Sequence, residues 1–250
     1  MKNRKSLGQH WLKDRAILND IADLATPAPL CLEVGPGLGT LTSSLLRNFD
    51  EVVAVELDDN LAKNLPKSFP GKNLTVINAN FLDFDLKSIK KPYAVAANIP
   101  YYITSPIIEK LLNAENLPKR IVLLIQKEVA ERIVALNGKN SMLSLVTENR
   151  ASVTMEFIVG AEYFTPPPKV DSAVIVLTPH KEPRVSEYVL KVAALGFSSP
   201  RKKLANNLSL YFTDNSIEDA FSQLNFNQNV RPSDLSLTDW QALSKILIAR

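Results

Sequence analysis

The sequence has few of the groups from which metal sites and disulfide frameworks are built: one cysteine and two histidines in 250 residues. A single cysteine cannot close an internal disulfide, so a reducing compartment, the cytoplasm, is expected. The same scarcity argues against a transition-metal centre, and no metal is assigned. No apolar run approaches the roughly eighteen residues of a membrane span, and the basic start MKNRKSLGQH lacks the apolar stretch of a signal peptide, so no membrane partner is expected. No Lys-Ser or Lys-Thr pair follows the glycine-rich turn GPGLG, which argues against a phosphate loop. Neither a Ser–His–Asp set nor a catalytic pair of carboxylates emerges, and there is no internal repeat or low-complexity tract.

What is present is an ordinary globular composition, 46% hydrophobic, in a chain long enough for one large domain and a small one. The net charge of +3 is mild, but its placement is uneven. Before position 16, Lys2, Arg4, Lys5, Lys13 and Arg15 face only Asp14. Between 181 and 203, six cations, among them Arg201, Lys202 and Lys203, face Glu182 and Glu187. Two such patches suit a polyanionic partner; the plain alternative is a solvated lysine-rich surface.

Along the chain, helical spacing covers 14–25, and a short apolar strand, 30–34, runs into GPGLG. Leu41, Leu45 and Leu46 mark the next helix. Further strands are expected at 52–56, 74–77, 93–97 and 121–125, with helices at 58–66, 104–114 and 126–137. This alternation implies a mostly parallel sheet covered on both faces. A helix at 141–151 precedes two late strands, 153–159 and 172–178, which are expected to close the sheet as a hairpin-like edge pair. From about 183 only helices are expected. The division predicted is residues 1–180 as the catalytic domain and 181–250 as a small helical one.

Two segments carry the chemistry. In CLEVGPGLGTLT, 31–42, Gly35 and Gly37 permit a tight turn and close ligand approach, and Gly39 lets the following helix pack near the strand. Such a turn fits a dinucleotide or an S-adenosylmethionine site equally well. Glu56, at the end of the next strand, can accept both ribose hydroxyls of an adenosine, unless it is merely a solvated strand end. Glu33 lies inside a strand, to brace the turn or to meet the amino-acid end of a ligand. Asn80 stands where an adenine would sit, with Leu82 to pack on the ring; a loop asparagine that caps its own turn is the alternative.

The second segment is NIPYY, 98–102. The Asn98 side-chain oxygen can accept one hydrogen of an aryl amine, and the carbonyl of Ile99 or Pro100 the other. That grip favours an amine whose lone pair has left conjugation and points at an incoming methyl group. Tyr101 can stack on a base. Phe164, which opens FTPPPKVDS, is expected either to sandwich the base with Tyr101 or to plug the core. Positioning and desolvation, with no strong general base, suffice for such chemistry.

The stretches KSLGQHWL, LEVGPGLGTLT, VVAVELD, NIPYYITSP, LLIQKEVAERIVA, FTPPPKVDSAV, RKKLANNL and NVRPSDLS occur in order over almost the whole chain. Together they resemble the small-subunit ribosomal RNA adenine N6,N6-dimethyltransferase family. The resemblance implies an α/β, Rossmann-like class I methyltransferase sheet with a C-terminal helical domain. It also implies an enzyme that uses S-adenosylmethionine to dimethylate two adjacent adenines near the 3′ end of 16S rRNA. Its partner would be an immature small ribosomal subunit, and a monomer is expected. Carried over by position, His10, Leu12, Gly35, Glu56, Asn80 and Asn98 would contact the cofactor and Gln9 would belong to the segment that closes over it; Gly37, Leu57 and Leu82 are expected to join them. Asn98, Pro100, Tyr101 and Phe164 would form the adenine pocket, and Arg201, Lys202 and Lys203 would meet RNA. The family usually has Asp at position 80 and commonly Asn at position 10, so this chain departs at both. The other readings of the same residues are a dimethyltransferase acting on one large-subunit rRNA adenine, a non-catalytic assembly or transcription factor, and a small-molecule or protein N-methyltransferase.

Overall fold

The computed structural model describes residues 10–248. The chain forms two compact units. One contains the chain up to Ala130 together with Ser152–Pro179, and the other contains Glu131–Ala151 together with the chain from His180 onward. This differs from the single boundary at 180 expected from sequence. The reason is packing: Leu145, in the segment before the late strands, is buried in the apolar cluster of the second unit.

In chain order the first unit carries β1 (Trp11–Leu12), α1 (Arg15–Leu24), β2 (Leu30–Val34), α2 (Thr40–Asn48) and β3 (Glu51–Glu56). Then come α3 (Asp59–Asn64), β4 (Leu74–Asn78), β5 (Tyr93–Asn98), α4 (Thr104–Leu112), β6 (Ile121–Gln126) and α5 (Lys127–Ile133). After α6 (Met142–Arg150), which belongs to the second unit, follow β7 (Ala151–Val159), β8 (Phe164–Thr165) and β9 (Ser172–Pro179).

Seven strands form one sheet in the order β4-β3-β2-β5-β6-β9-β7. The pairs β4–β3, β3–β2, β2–β5 and β5–β6 are parallel, and β9 runs antiparallel to β6. Four of the parallel strands, β2, β3, β5 and β6, are buried along nearly their whole length because LCLEV, EVVAVE, YAVAAN and IVLLIQ are almost unbroken apolar runs, as burial on both faces requires, whereas β4 at the sheet edge is only partly covered. The late pair was expected at the edge; β9 lies beside β6 and β7 is outermost. One face packs Ile21 of α1 and Leu45 of α2 against Cys31, Val52 and Val122. Burying such side chains is worth about 1.5–3 kcal/mol each. Asp14 and Asp58 cap α1 and α3 by accepting backbone N–H groups of the first turn.

Two features depart from the sequence pattern. The expected helix over 126–137 stops at Ile133, and Ala135 takes the left-handed conformation with φ 49°. A second, two-stranded sheet pairs β1 with β8, setting Trp11 opposite Thr165 and Leu12 opposite Phe164. Two-residue strands leave no periodic signal to read.

The second unit holds α6, α7 (Glu187–Gly196), α8 (Leu204–Leu208), α9 (Asp214–Gln223) and α10 (Leu237–Ile248). Trp240, Phe221, Leu204 and Leu243 are buried at its centre. Gly196 makes room for the indole, since a Cβ there would lie 2.3 Å from the Trp240 ring. Among the described residues, no helix is long and apolar enough to cross a membrane.

Candidate active site

The glycine turn follows β2 and NIPYY follows β5, and these strands are sheet neighbours. The chain runs from β2 outward through β3 to β4 and then returns to the other side of β2, so the sheet switches direction between β2 and β5. Open α/β sheets bind ligands at the carboxyl ends of strands at such a switch. A cleft lies there, lined from both segments.

At one end the glycine turn is fixed by its own βαβ unit. Gly35, Gly37 and Gly39 all have positive φ, from 58° to 81°. The Gly35 N–H donates to the Val55 carbonyl at 2.9 Å, and the Gly37 N–H donates to Glu56 Oε2 at 2.9 Å. The other carboxylate oxygen, Oε1, accepts from the Asp58 N–H at 2.8 Å. Glu56 is thus buried but satisfied, and it lines the cleft as an acceptor with lone pairs to spare. A Cβ at Gly37 would lie 3.0 Å from Trp11 Nε1, so the indole covers the turn closely. At Gly39, a Cβ would meet Leu65 and Phe69 rather than the strand.

Glu33 is buried in the floor of the cleft, where its Oε2 accepts the Thr42 hydroxyl at 2.7 Å. Burial, with the nearby Glu56 charge adding to it, pushes its carboxyl up to about 8. Through Thr42 it braces the first turn of α2. Burial likewise pushes the Cys31 thiol up, so this side chain is an inert core residue.

Asn80 reaches the cleft, but its side chain is engaged locally: Oδ1 accepts the Leu82 N–H at 3.1 Å and Nδ2 donates to Asp83 Oδ2 at 2.9 Å. The turn carries Leu82 away, and Phe81 lines the cleft in its place. Leu57 lines it too, about half exposed.

At the other end, Asn98 Nδ2 donates to the His10 carbonyl at 3.0 Å. Its Oδ1 accepts no hydrogen bond from the described residues. The Pro100 carbonyl already accepts the Ile103 N–H at 3.2 Å, whereas the Ile99 carbonyl has no partner among the described residues. Two acceptors are therefore available beside one another at the carboxyl end of β5. The Tyr101 hydroxyl shares a 2.8 Å hydrogen bond with Ser172 Oγ, and burial raises its pKa. Its ring stacks on that of His10, with centroids 6.1 Å apart and planes 17° from parallel.

Three expected site residues do not reach the cleft. Leu12 and Phe164 are buried together in the core cluster, joined by the β1–β8 pairing, so Phe164 plugs the core instead of facing Tyr101. Leu82 is turned out by the Asn80 turn, as described above. Gln9 lies outside the described residues. Arg201, Lys202 and Lys203 are exposed on the turn into α8, while Leu204 and Leu208 just beyond them are buried. Sequence reasoning missed Trp11, Phe81 and Ser172. No group of three or more His, Cys, Asp or Glu side chains among the described residues is placed to hold a metal ion.

Comparison with known proteins bears on this geometry. The sequence profile of the family described as ribosomal RNA adenine dimethylase matches residues 1–249. The chain is 40% identical to ribosomal RNA small subunit methyltransferase A of Acaryochloris marina over 257 residues, 96% of each chain. It is 38% identical to the protein of that name from Geobacter sulfurreducens over 266 residues, covering 100% of this chain and 96% of the relative. Among solved structures, a dimethyladenosine transferase from Plasmodium falciparum superposes with TM-score 0.79 at 28% identity, covering 93% of this chain and 95% of the other. The 23S rRNA methyltransferase ErmE superposes with TM-score 0.78, also at 28% identity, covering 95% and 99%. A full-length match, laid on a Rossmann-like sheet with a glycine turn and the NIPYY loop at its switch point, makes this chain a member of the ribosomal RNA adenine dimethylase family and a methyltransferase enzyme.

Proposed function

We propose that the protein transfers methyl groups from S-adenosylmethionine to N6 of two adjacent adenines in the 3′-terminal hairpin region of 16S rRNA, within an immature small ribosomal subunit. The observation that carries this reading is the Asn98 amide, whose nitrogen is committed to the His10 carbonyl and whose oxygen is left as an acceptor in the cleft. Relatives named for small-subunit rRNA, 38–40% identical over the full chain, favour this substrate over the large-subunit one.

The residues present fit the cofactor. The positive-φ glycines expose backbone to a ligand, and Glu56 offers carboxylate lone pairs to ribose hydroxyls beside them. Leu57, Phe81 and Asn80 line the part of the cleft proposed for the adenine. When bound, S-adenosylmethionine supplies a sulfonium-activated methyl group. Asn98 Oδ1 and the Ile99 carbonyl accept the two N6 hydrogens of the target, which draws the lone pair out of conjugation and toward the methyl carbon. The N–C bond forms as the S–C bond breaks, and the amine proton leaves to water. Tyr101 supplies the stacking face, and Pro100, just after the two acceptors, leads the chain into the Tyr101–Ile103 turn. The protein contributes mainly position and exclusion of water.

We assign the helical unit to subunit recognition, with Arg201, Lys202 and Lys203 on phosphates, and we take the enzyme to act in the cytoplasm as a monomer. Reversing those three charges should weaken subunit binding and lower its salt dependence by about one unit of slope per lost contact. Unchanged affinity at low salt would leave the patch a solvated face. The deciding experiment maps methylated adenines by mass after incubation of undermethylated small subunits, or protein-free large-subunit rRNA, with labelled cofactor. Paired dimethyladenosines in 16S rRNA are expected. Label only in large-subunit rRNA would replace the proposal with the ErmE-like activity, and label in neither would favour a non-catalytic factor.

A further inference from the structure

We propose that His10 is a positioning residue for the methyl-accepting end of the cleft: it fixes which way the Asn98 amide faces and braces the Tyr101 ring. This rests on the reading of Asn98 and Tyr101 as the amine grip. A primary amide turned by half a rotation exchanges oxygen for nitrogen at nearly the same place, so an asparagine grips an amine only if something decides its orientation. Here the decision is made by a backbone carbonyl, which can only accept. The His10 carbonyl sits 3.0 Å from Nδ2. Turning the amide would set oxygen against oxygen there and present two N–H groups to the substrate's own N–H groups.

The carbonyl decides nothing unless residue 10 is itself held, and the structure holds it from several sides. Its Nδ1 lies 2.8 Å from the Pro166 carbonyl, so Nδ1 carries the proton and donates it. The backbone that follows pairs with β8, and the Lys13 N–H donates to the Tyr163 carbonyl at 3.1 Å. The imidazole lies nearly parallel to Tyr101, whose far end is tied to Ser172. His10 therefore joins the loop after β5, through its carbonyl to Asn98 and its ring beside Tyr101, to the proline segment after β8, through its Nδ1, across 88 and 156 positions of sequence. Asparagine at position 10 could make the same donation to Pro166 through its amide nitrogen, but it has no ring to lay on Tyr101. Alanine has neither.

His10 also lines the cleft, so a direct cofactor contact is the competing role. The two separate in kinetics. Expected for His10→Ala is a fall in kcat at saturating cofactor of roughly ten- to a hundredfold, the range in which small misplacements act, with cofactor Kd nearly unchanged. His10→Asn should recover most of that loss. His10→Ala combined with Asn98→Ala should be slower than Asn98→Ala alone by clearly less than the factor His10→Ala costs by itself, because part of that factor passes through Asn98. Turnover would be read on undermethylated small subunits, cofactor affinity by calorimetry, and folding by thermal melting of each variant. The proposal is overturned if excess cofactor restores His10→Ala fully, if His10→Asn is no better than His10→Ala, or if the double variant shows the two losses multiplied. Full turnover by Asn98→Ala would instead remove the amine-grip reading itself. Loss in Asn98→Ala with none in His10→Ala would remove only the role given to His10.

Discussion

The two ends of the cleft are built by opposite means. At the glycine-turn end the chain is held by its immediate neighbours: Gly37 bonds Glu56 19 positions on, and Glu56 bonds Asp58 two positions further. At the amine end, Asn98 is held by residue 10, His10 by Pro166, and Tyr101 by Ser172, across 88, 156 and 71 positions. The first end is a local motif that any correctly formed βαβ unit brings with it. The second exists only when three remote segments have come together. The glycine-turn end is therefore expected to tolerate distant damage, and the Asn98 end to be sensitive to it.

The largest effect should come from removing the acceptor at the sensitive end. Asn98→Ala leaves the glycine turn and Glu56 untouched, so cofactor binding should largely survive while methyl transfer falls by about 10²–10³-fold, the usual cost of one preorganised hydrogen-bonding group at a reacting centre. Single-turnover rates at saturating cofactor would show this. A variant that loses cofactor affinity as severely as rate would mean that the two ends are not separable.

That asymmetry also explains what could be read from sequence. The parallel strands, the glycine turn and Glu56 were legible because apolar runs, positive-φ glycines and a strand-end carboxylate are local signals. Asn98 and Tyr101 stand out in the sequence as residue types, because an amide and a ring beside a proline suit a flat amine. Their supports do not. Ser172 and the Pro166 carbonyl carry no signal of their own, and the two-residue strands β1 and β8 are too short for a period. Phe164 was open to two readings, a base sandwich with Tyr101 or a core plug; the β1–β8 pairing turns it into the core with Leu12. The single boundary at 180 missed Glu131–Ala151 for a similar reason, since Leu145 of α6 packs with residues of helices far beyond it in sequence.

The next effect belongs to the local end. Gly39 has φ 81°, and a Cβ there would lie 2.6 Å from Leu65 Cδ1 and 2.9 Å from the Phe69 ring. Gly39→Ala therefore combines backbone strain with overpacking and should cost about 2–4 kcal/mol of stability in denaturant unfolding. A loss well under that would mean that the Leu65–Phe69 turn yields easily, and that this end is less rigid than its hydrogen bonds suggest.

Glu33 gives a smaller, pH-dependent effect. Its carboxyl rises from the usual 4.5 to about 8 in the folded protein, chiefly through burial. Between those values the folded form holds a proton that the unfolded chain has lost. Its contribution is complete below the lower value and disappears as pH rises through the upper one, a loss on the order of a few kcal/mol across the window. Glu33→Gln, which stays neutral, should flatten that part of the stability profile and be relatively more stable at its alkaline end. Denaturant midpoints at both ends of the window measure this, and parallel profiles for the two proteins would show that Glu33 does not hold its proton.

The smallest effect tests whether local means tolerant. Asn80→Asp restores the residue most common in the family and keeps the oxygen that accepts the Leu82 N–H. It also turns the Asn80–Asp83 hydrogen bond into a contact between two carboxylates. In this chain the change is therefore a trade, not a simple restoration. The pair is exposed, so repulsion should cost less than about 1 kcal/mol, and added salt should relieve it. Methylation should remain intact, with a modest rise in cofactor Kd that shrinks as ionic strength increases. Asp83→Asn in the same background should abolish the rise, because it removes the second charge and returns a donor to the pair. Abolished cofactor binding in Asn80→Asp, unrelieved by salt or by Asp83→Asn, would mean that the Asn80 amide is itself a ligand group, and that the local end is as exacting as the remote one.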